Sequence, residues 1–314
     1  MFRQWKQILL CVYLLLTGCQ NVTPPVSETI DMVLITKHNL GDYYQTMLRG
    51  AQTAEKEITT VKVQFLPVAD ERDVAAQSVL VDEAVANQVE AILISPNEAL
   101  ATQNALNRAK EAGIPVIVLD SPVAIEGLTY VGTDNVQLGQ TIAHWLKQQQ
   151  VQASQLAIIM PPDHSHNILQ RVEAIEAAFP NQKIVILTLS HDQDKAVEQL
   201  TAYKKMYPTI TQWVTITELM TEAAGRAVKL NGWQDDISIV GVDSNTAILQ
   251  CLEQGIIDRL IVQNSYAMGY LAVYSAYNIR QNIPTPKYQD TLHLEVTKDN
   301  LFDEELAPLL FPIK

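Results

Sequence analysis

Two polar residues end short apolar segments, at positions where a folded chain can use them to bind a ligand. Ser95 closes residues 91–95 and is followed by Pro96, and Asp120 comes directly after residues 116–119. Apolar runs of this length, closed by turn residues, are typical of buried strands. Because ligands of open parallel sheets bind beyond the carboxyl ends of the strands, Ser95 and Asp120 are predicted to form one wall of a binding site.

The residues between these two positions predict the helix that joins the strands. Apolar residues recur at helical spacing from Ala105 to Ala112, Gly113 lies where a helix ends, and Pro115 prevents its continuation. Strand, helix and strand of this kind form a parallel unit with a right-handed crossover.

The same alternation runs through most of the chain, and the part after Gly132 repeats the plan of the part before it. The other predicted strands are 32–36, 61–68, 156–160, 184–189, 212–217, 237–243, 259–263 and 291–296. The other predicted helices are 44–58, 73–87, 136–149, 168–179, 194–206, 220–229, 247–254 and one from Tyr266. Uninterrupted alternation predicts an α/β fold built on parallel sheets.

Metal binding and catalysis have weaker support than ligand binding. Residues 163–166, Asp-His-Ser-His, carry two histidines that could reach one metal ion, but a third ligand is not evident. Asp120 and Asp243 could face each other across a cleft, as the two carboxylates of a glycoside hydrolase do. No glycine-rich phosphate loop follows a strand, and the sequence has no serine nucleophile elbow. We therefore expect no metal, no cofactor and no enzymatic activity.

The N-terminus has the order of a secretory signal. Arg3 and Lys6 precede an apolar run at 8–16, which is too short to span a bilayer in its own right. The residues Leu-Thr-Gly-Cys at 16–19 resemble a bacterial lipoprotein box, which implies a signal peptide at 1–18 and lipidation of Cys19. The alternatives are an uncleaved signal anchor or a buried thiol.

Residues 19–29 are polar, contain two prolines and are predicted to be a tether to the membrane. The protein is therefore expected on the extracytoplasmic face of the cell membrane, held there by its lipid.

Composition limits the partners and the architecture. The formal net charge is −13, and removal of Arg3 and Lys6 leaves 20 basic and 35 acidic residues, a net charge of −15, so nucleic acid is not an expected partner. About 285 residues follow the tether, which is enough for two lobes with separate cores. Outside the leader and Cys19, Cys251 is the one remaining cysteine, so no internal disulfide is expected.

Taken together, a series of motifs resembles the periplasmic sugar-binding proteins of the ribose-binding type, the cluster B or type I solute-binding family. The motifs are Gly41-Asp42-Tyr43-Tyr44, AILISPN at 91–97, AGIPVIVLD at 112–120, YVGTDN at 130–135, Gln170-Arg171, IVGVD at 239–243 and Val262-Gln263. The resemblance covers roughly residues 30 to 300.

The resemblance implies two doubly wound parallel-sheet lobes joined by a three-strand hinge. The first lobe would comprise 30–133 plus 264–290, and the second 134–263 plus 291–314. The hinge crossings would lie near 132–134, 263–264 and 290–292.

The resemblance also implies which residues contact a sugar held between the lobes. Tyr43 and Tyr44 match an aromatic pair that stacks on the sugar ring, and Asp120 matches an acceptor for paired hydroxyls. Arg171 matches a donor whose planar fork binds two oxygens. The further matching or candidate positions are Asp243, Gln263, Lys37, Asp42, Ser95, Gln193 and Thr217.

Several of these positions also have structural interpretations. The tyrosines could pack on the first helix, and Asp120 could be a turn or capping residue. Arg171 and Lys37 could be solvated.

Several residues differ from the family pattern at positions where the family contacts its ligand. Gly41-Asp42 stands where ribose binders have Asn-Pro, Ser95 where they have Asn, and Val242 where they have Phe. Gln193 occupies an aromatic position, and Thr217-Glu218 replaces an Asn-Asp pair. The second lobe has therefore lost part of its grip on a sugar, and ribose itself is not assumed.

The resemblance implies a monomeric binding protein that closes on a monosaccharide or similar small polyol and delivers it to a sugar ABC importer. Ligand contacts with both lobes would favour the closed state. The alternative is an accessory lipoprotein whose closed form docks on a sensor kinase or a chemoreceptor.

Overall fold

A computed structural model describes residues 29–39, 42–69, 73–152, 155–162, 165–180 and 184–311. The predicted signal peptide, Cys19 and residues 20–28 of the tether lie outside the described residues, as do Gly41, Asp163 and His164. Within the described ranges, no helix is both long and apolar enough to cross a membrane.

The described chain alternates strands and helices almost throughout. The strands are β1 (Ile30–Thr36), β2 (Val61–Pro67), β3 (Ala91–Ile94), β4 (Val116–Leu119), β5 (Thr129–Gly132), β6 (Leu156–Met160), β7 (Val185–Thr188), β8 (Gln212–Thr215), β9 (Ser238–Val242), β10 (Arg259–Gln263), β11 (Tyr288–Asp290) and β12 (His293–Val296). The helices are α1 (Tyr43–Glu57), α2 (Val74–Ala86), α3 (Ala99–Glu111), α4 (Asn135–Gln148), α5 (His166–Ala177), α6 (Gln193–Met206), α7 (Glu218–Asn231), α8 (Thr246–Glu253), α9 (Ser265–Arg280) and α10 (Ala307–Leu310).

The strands form two six-stranded sheets, one in each lobe. The first has the order β11-β5-β4-β3-β1-β2, and all of its pairs are parallel. The second has the order β12-β10-β9-β8-β6-β7 and is parallel except for β12, which pairs antiparallel with β10. The predicted α/β class with two doubly wound parallel-sheet lobes is confirmed.

Helices cover both faces of each sheet, which explains the continuous apolar runs of the central strands. All four residues of β3 and all four of β4 are buried. Each lobe has two apolar clusters, one on each side of its sheet.

The chain passes between the sheets three times: after β5, after β10, and between β11 and β12. The third passage is only two residues long, since Asp290 ends β11 and His293 begins β12.

The main differences from the predicted elements lie in short segments. The sequence does not predict β5, β11 or α10, because they are only three or four residues long and have no extended apolar period. The predicted strand 212–217 ends at Thr215, so Ile216 and Thr217 belong to the loop that leads into the cleft.

Candidate functional site

A cavity lies between the lobes, at the carboxyl ends of the parallel strands. Its volume is about 540 Å³, counting the part open to solvent. In each sheet the strand order reverses once, between β1 and β3 and between β6 and β8, and such switch points form crevices that bind ligands. Eight of the predicted site residues line the cavity: Lys37, Tyr43, Tyr44, Asp120, Arg171, Thr217, Asp243 and Gln263.

Asp120 is held at the end of β4 by several donors. Its Oδ1 accepts hydrogen bonds from the hydroxyl of Tyr43 at 3.0 Å and from the side-chain amide of Asn167 at 3.1 Å. Its Oδ2 accepts one from Ser95 Oγ at 3.0 Å and lies 3.3 Å from the ammonium of Lys37. Protein groups therefore occupy most of the acceptor positions of Asp120 in this closed arrangement.

Lys37 follows β1 and is buried, so the solvated interpretation of this lysine is wrong. Its ammonium donates to Ser121 Oγ at 2.7 Å and pairs with Asp120. Burial by itself would raise the pKa of Asp120, but the charges of Lys37 and Arg171 hold that pKa below its usual value. Asp120 is therefore an ionised anchor of the first lobe.

Arg171 lies on α5 in the second lobe and is 1% exposed, so its solvated interpretation is also wrong. Its Nε donates to Asn135 Oδ1 at 2.8 Å, and its two terminal nitrogens donate to the carbonyl of Ile216 at 2.9 Å and to Gln263 Oε1 at 2.8 Å. Three of its five N–H groups thus bind protein, and a ligand contact of Arg171 stays a prediction.

Asp243 directly follows β9 and accepts hydrogen bonds from Gln263. The Gln263 backbone N–H donates to Oδ1 at 3.1 Å, and its side-chain amide donates to Oδ2 at 2.9 Å. Burial raises the pKa of Asp243 to about 6, and the opposing charge of Arg171 does not outweigh it. Because its carboxylate keeps unused lone pairs, Asp243 can accept hydrogen bonds from a ligand.

The two tyrosines form an edge-to-face pair with ring centroids 5.2 Å apart. Tyr44 is buried in the apolar cluster of the first lobe, and its hydroxyl lies 3.3 Å from Ser95 Oγ. Tyr43 is less buried and lines the cavity. The Tyr44 ring therefore packs mainly within the first lobe, and Tyr43 is the better placed of the two tyrosines to stack on a ligand.

The remaining predicted residues lie outside the cavity lining. Ser95 is fully buried behind Asp120, to which it donates. Asp42 is exposed at the start of α1. Gln193 begins α6, and its side-chain amide donates to the carbonyl of Leu219 at 2.9 Å. Direct ligand contacts of these residues remain predictions.

Glu218 and Asn167 line the cavity but were absent from the predicted set. Asn167 lies in the first turn of α5, one residue before the predicted helix at 168–179, and its only signal in the sequence is its proximity to the loop at 163–166. Glu218 directly follows Thr217, so its position after β8 was a usable signal. The other unpredicted lining residues are His38, Pro161, Ile168, His191 and Leu219.

Glu218 connects the lobes. Its Oε1 accepts the backbone N–H of Asp42 at 3.1 Å and the side-chain amide of Asn245 at 3.0 Å, and its Oε2 accepts the backbone N–H of Tyr43 at 3.1 Å. Burial raises the pKa of Glu218 to about 7, although these donors oppose the shift. Among the described residues, no group of three His, Cys, Asp or Glu side chains could hold a metal ion.

Comparison with known proteins places this fold and cavity among binding proteins. A family model described as a periplasmic binding protein domain matches residues 32–282. The D-ribose/D-allose-binding protein of Pseudomonas aeruginosa is 23% identical over 257 residues, which cover 76% of this chain and 81% of that protein. The ribose import binding protein of Bacillus subtilis is 23% identical over 287 residues, which cover 87% of this chain and 91% of that protein.

A solved structure of a solute binding protein is also similar to this chain. The carbohydrate transporter solute binding protein from Agrobacterium radiobacter, in complex with D-arabinose, has a TM-score of 0.81 and 25% sequence identity. The match covers 90% of this chain and 99% of that chain.

Proposed function

We propose that this chain, which belongs to the periplasmic binding protein family, binds a monosaccharide or a similar small polyol between its lobes. The observation that carries the proposal is a cavity lined by buried carboxyl groups from both lobes, Asp120 from the first and Asp243 and Glu218 from the second, together with the ring of Tyr43. Carboxylates accept hydrogen bonds from ring hydroxyls, and an aromatic face suits the C–H face of a sugar.

The charges of the cavity support an uncharged ligand. The cations of Lys37 and Arg171 face the carboxyl groups of Asp120, Asp243 and Glu218, and all five side chains are buried. An acidic ligand would add a charge without a free cation to receive it, because the ammonium of Lys37 already pairs with Asp120. A polyhydroxyl compound adds donors, which Asp243 can accept.

Two features support a role in import at the membrane. The relatives named above are binding proteins, one of them for ribose import, which favours delivery to a sugar ABC importer over the sensing alternative. The lipoprotein box at 16–19 supports a lipid anchor on Cys19, which would keep the protein on the extracytoplasmic side of the membrane.

A thermal-shift screen tests the proposed ligand class. The protein without its predicted signal peptide is mixed with pentoses, hexoses, deoxysugars and polyols. A ligand present at one hundred times its dissociation constant should stabilise the folded protein by about 2.7 kcal/mol. If no sugar or polyol changes the melting temperature, the proposed ligand class is wrong.

The substitution Asp243→Asn then tests the site. It keeps the shape of the side chain but replaces one acceptor oxygen with a donor, so the binding free energy should weaken by about 1.5 to 3 kcal/mol in titration calorimetry. The matched control is Asp299→Asn, because Asp299 is exposed and is not part of the cavity lining. If both variants bind the ligand with equal affinity, Asp243 does not contact it.

A further inference from the structure

The N–H groups at the start of α1 donate hydrogen bonds to the opposite lobe. A helix begins with N–H groups that have no partner within the helix, and a side chain of the N-cap residue often accepts them. Here the N-cap is Asp42, whose side chain makes no capping hydrogen bond. The backbone N–H groups of Asp42 and Tyr43 instead donate to Glu218, which begins α7 in the second lobe.

We propose that Glu218 is a positioning residue that caps α1 across the cleft and holds the lobes closed around the ligand. The role rests on the proposed function, because closure around a ligand gives it its purpose. The two hydrogen bonds from Asp42 and Tyr43 to Glu218 form an interlobe cap.

The oxygens and the support of Glu218 suit this role. Carboxyl oxygens can accept the N–H groups that the start of a helix leaves without a partner. The Glu218 side chain is largely buried, and Asn245 holds it in place by donating to its Oε1 while also donating to Glu222 at 2.8 Å. The interlobe cap can form only when the lobes are closed, since its donors and its acceptor lie on different lobes.

The interlobe cap differs from the other contacts across the cleft. Asn167 on the second lobe donates to Asp120 and accepts from Ser121 Oγ at 2.9 Å. The first of these contacts uses Asp120, which the ligand would also need, so ligand binding competes with it. The interlobe cap uses backbone N–H groups of α1, so it can persist when a ligand is bound.

Protonation links the interlobe cap to pH. Glu218 Oε1 accepts two hydrogen bonds and Oε2 only one, so a proton on Oε2 leaves all three bonds possible. In the closed form burial, with a smaller contribution from the charge of Asp243, raises the pKa of Glu218 from 4.5 to about 7. An open cleft exposes the carboxyl to water and returns its pKa towards 4.5. Closure therefore takes up a proton, and the closed form loses stability relative to the open form as pH rises through 7.

Other titratable groups surround Glu218 on each neighbouring element. Asp42 is the N-cap of α1, and Glu222 lies one turn further along α7. Asp243 directly follows β9, and His191 follows β7 on the cavity wall. Asp243 titrates near 6, so the window from pH 6 to 8.5 isolates Glu218 best.

The test compares Glu218→Gln with Glu222→Gln in the full chain, purified in detergent. Both substitutions remove one carboxylate that is bonded to Asn245, but only the first removes the acceptors of the interlobe cap. A glutamine amide at 218 would set a donor against the N–H of Tyr43. Glu218→Asp is a second variant, because its shorter side chain cannot reach both N–H groups.

The first measurement needs no sugar. Solution X-ray scattering of the ligand-free proteins should give a larger radius of gyration for Glu218→Gln and Glu218→Asp than for wild type and Glu222→Gln. Circular dichroism verifies that each variant is folded. If the thermal-shift screen finds no ligand, that failure concerns the proposed ligand class, and the radii of gyration alone test the interlobe cap. Equal radii for all four proteins would overturn the proposal.

The second measurement uses each sugar that binds. Glu218→Gln should weaken the affinity for all of them by a similar factor of about tenfold or more, because closure is common to all ligands. Wild-type affinity should fall about tenfold from pH 6 to 8.5, and the Glu218→Gln profile should change about twofold at most. A loss confined to sugars that share one hydroxyl would make Glu218 a ligand contact and overturn the proposal, as would unchanged affinity.

Discussion

Asp120 and Asp243 occupy corresponding positions, at the ends of β4 and β9, and both have left-handed backbone, with φ of 59° and 66°. Aspartate is one of the few non-glycine residues that adopt this conformation readily. Their pKa shifts are nevertheless opposite, because Lys37 lies 3.3 Å from Asp120 whereas amide groups of Gln263 surround Asp243. Asp243 is therefore the carboxylate that gains most from the donors of a ligand.

Arg171 shows that a residue at a predicted contact position can also hold the fold together. We expect Arg171→Lys to lower the free energy of unfolding by about 2 to 4 kcal/mol, because an ammonium cannot replace the fork that bonds Asn135, Ile216 and Gln263. Urea unfolding at pH 7, followed by tryptophan fluorescence, measures the change.

The matched control is Arg226→Lys, since Arg226 is exposed and pairs with Asp194 on the surface. A change below about 1 kcal/mol is expected there. If Arg171→Lys unfolds like wild type yet loses ligand affinity, the role of Arg171 is confined to the ligand.

At the scale of elements, the packing of α1 against α9 decides how the first lobe is assembled. The helices are separated by about 200 residues of sequence and cross where both carry glycine. A Cβ on Gly50 would collide with the backbone of Tyr266, and one on Gly269 with the carbonyl of Met47. This close approach places Tyr43, at the start of α1, next to the cavity.

Gly269→Ala is accordingly expected to destabilise the protein by about 1 to 3 kcal/mol, because backbone atoms on the facing helix cannot move aside. Differential scanning calorimetry measures the change. Gly225→Ala in α7 is the control, since its Cβ would meet the side chain of Cys251 at 3.1 Å, and alanine also favours the helix by up to about 1 kcal/mol. Equal melting temperatures of the two variants would show that α1 and α9 can separate at little cost.

For the whole molecule, three passages between the sheets leave a cleft whose walls come from distant parts of the sequence. In the second lobe, hydrogen bonds connect Arg171 to Gln263 and Gln263 to Asp243. In the first lobe, Lys37 forms an ion pair with Asp120. Most contacts of each wall lie within its own lobe, and Asn167 and Glu218 provide the hydrogen bonds that cross the cleft.

The proposed lipid anchor is also tested at the scale of the whole molecule. Cys19→Ser should move the protein from the detergent phase to the aqueous phase in a detergent phase-partition experiment, because no acyl chain could then be attached. Cys11→Ser is the control, since Cys11 lies in the predicted signal peptide and should not affect the mature protein. A Cys19→Ser protein that stays in the detergent phase would require another anchor.

The sequence by itself determined the α/β alternation and most of the cavity. Apolar periods identify buried strands and helices locally, and the rule that ligands bind at the carboxyl ends of parallel strands marks Ser95 and Asp120 without a partner in view. The motifs extended this to eight residues that the structure places on the cavity lining. Short strands such as β5 and β11 escaped, because they depend on backbone pairing with neighbours and not on an apolar run of their own.

Only the tertiary structure decided which of these side chains are charged, satisfied or free to bind. Lys37 meets Asp120 across 83 residues of sequence, and Glu218 meets α1 across about 175 residues. The first contact depends on which strand ends the sheet brings together, and the second on how far the two lobes close. Neither leaves a local pattern in the chain. Burial and distance then set the electrostatics, which is why Asp120 stays ionised while Asp243 and Glu218 hold their protons to higher pH.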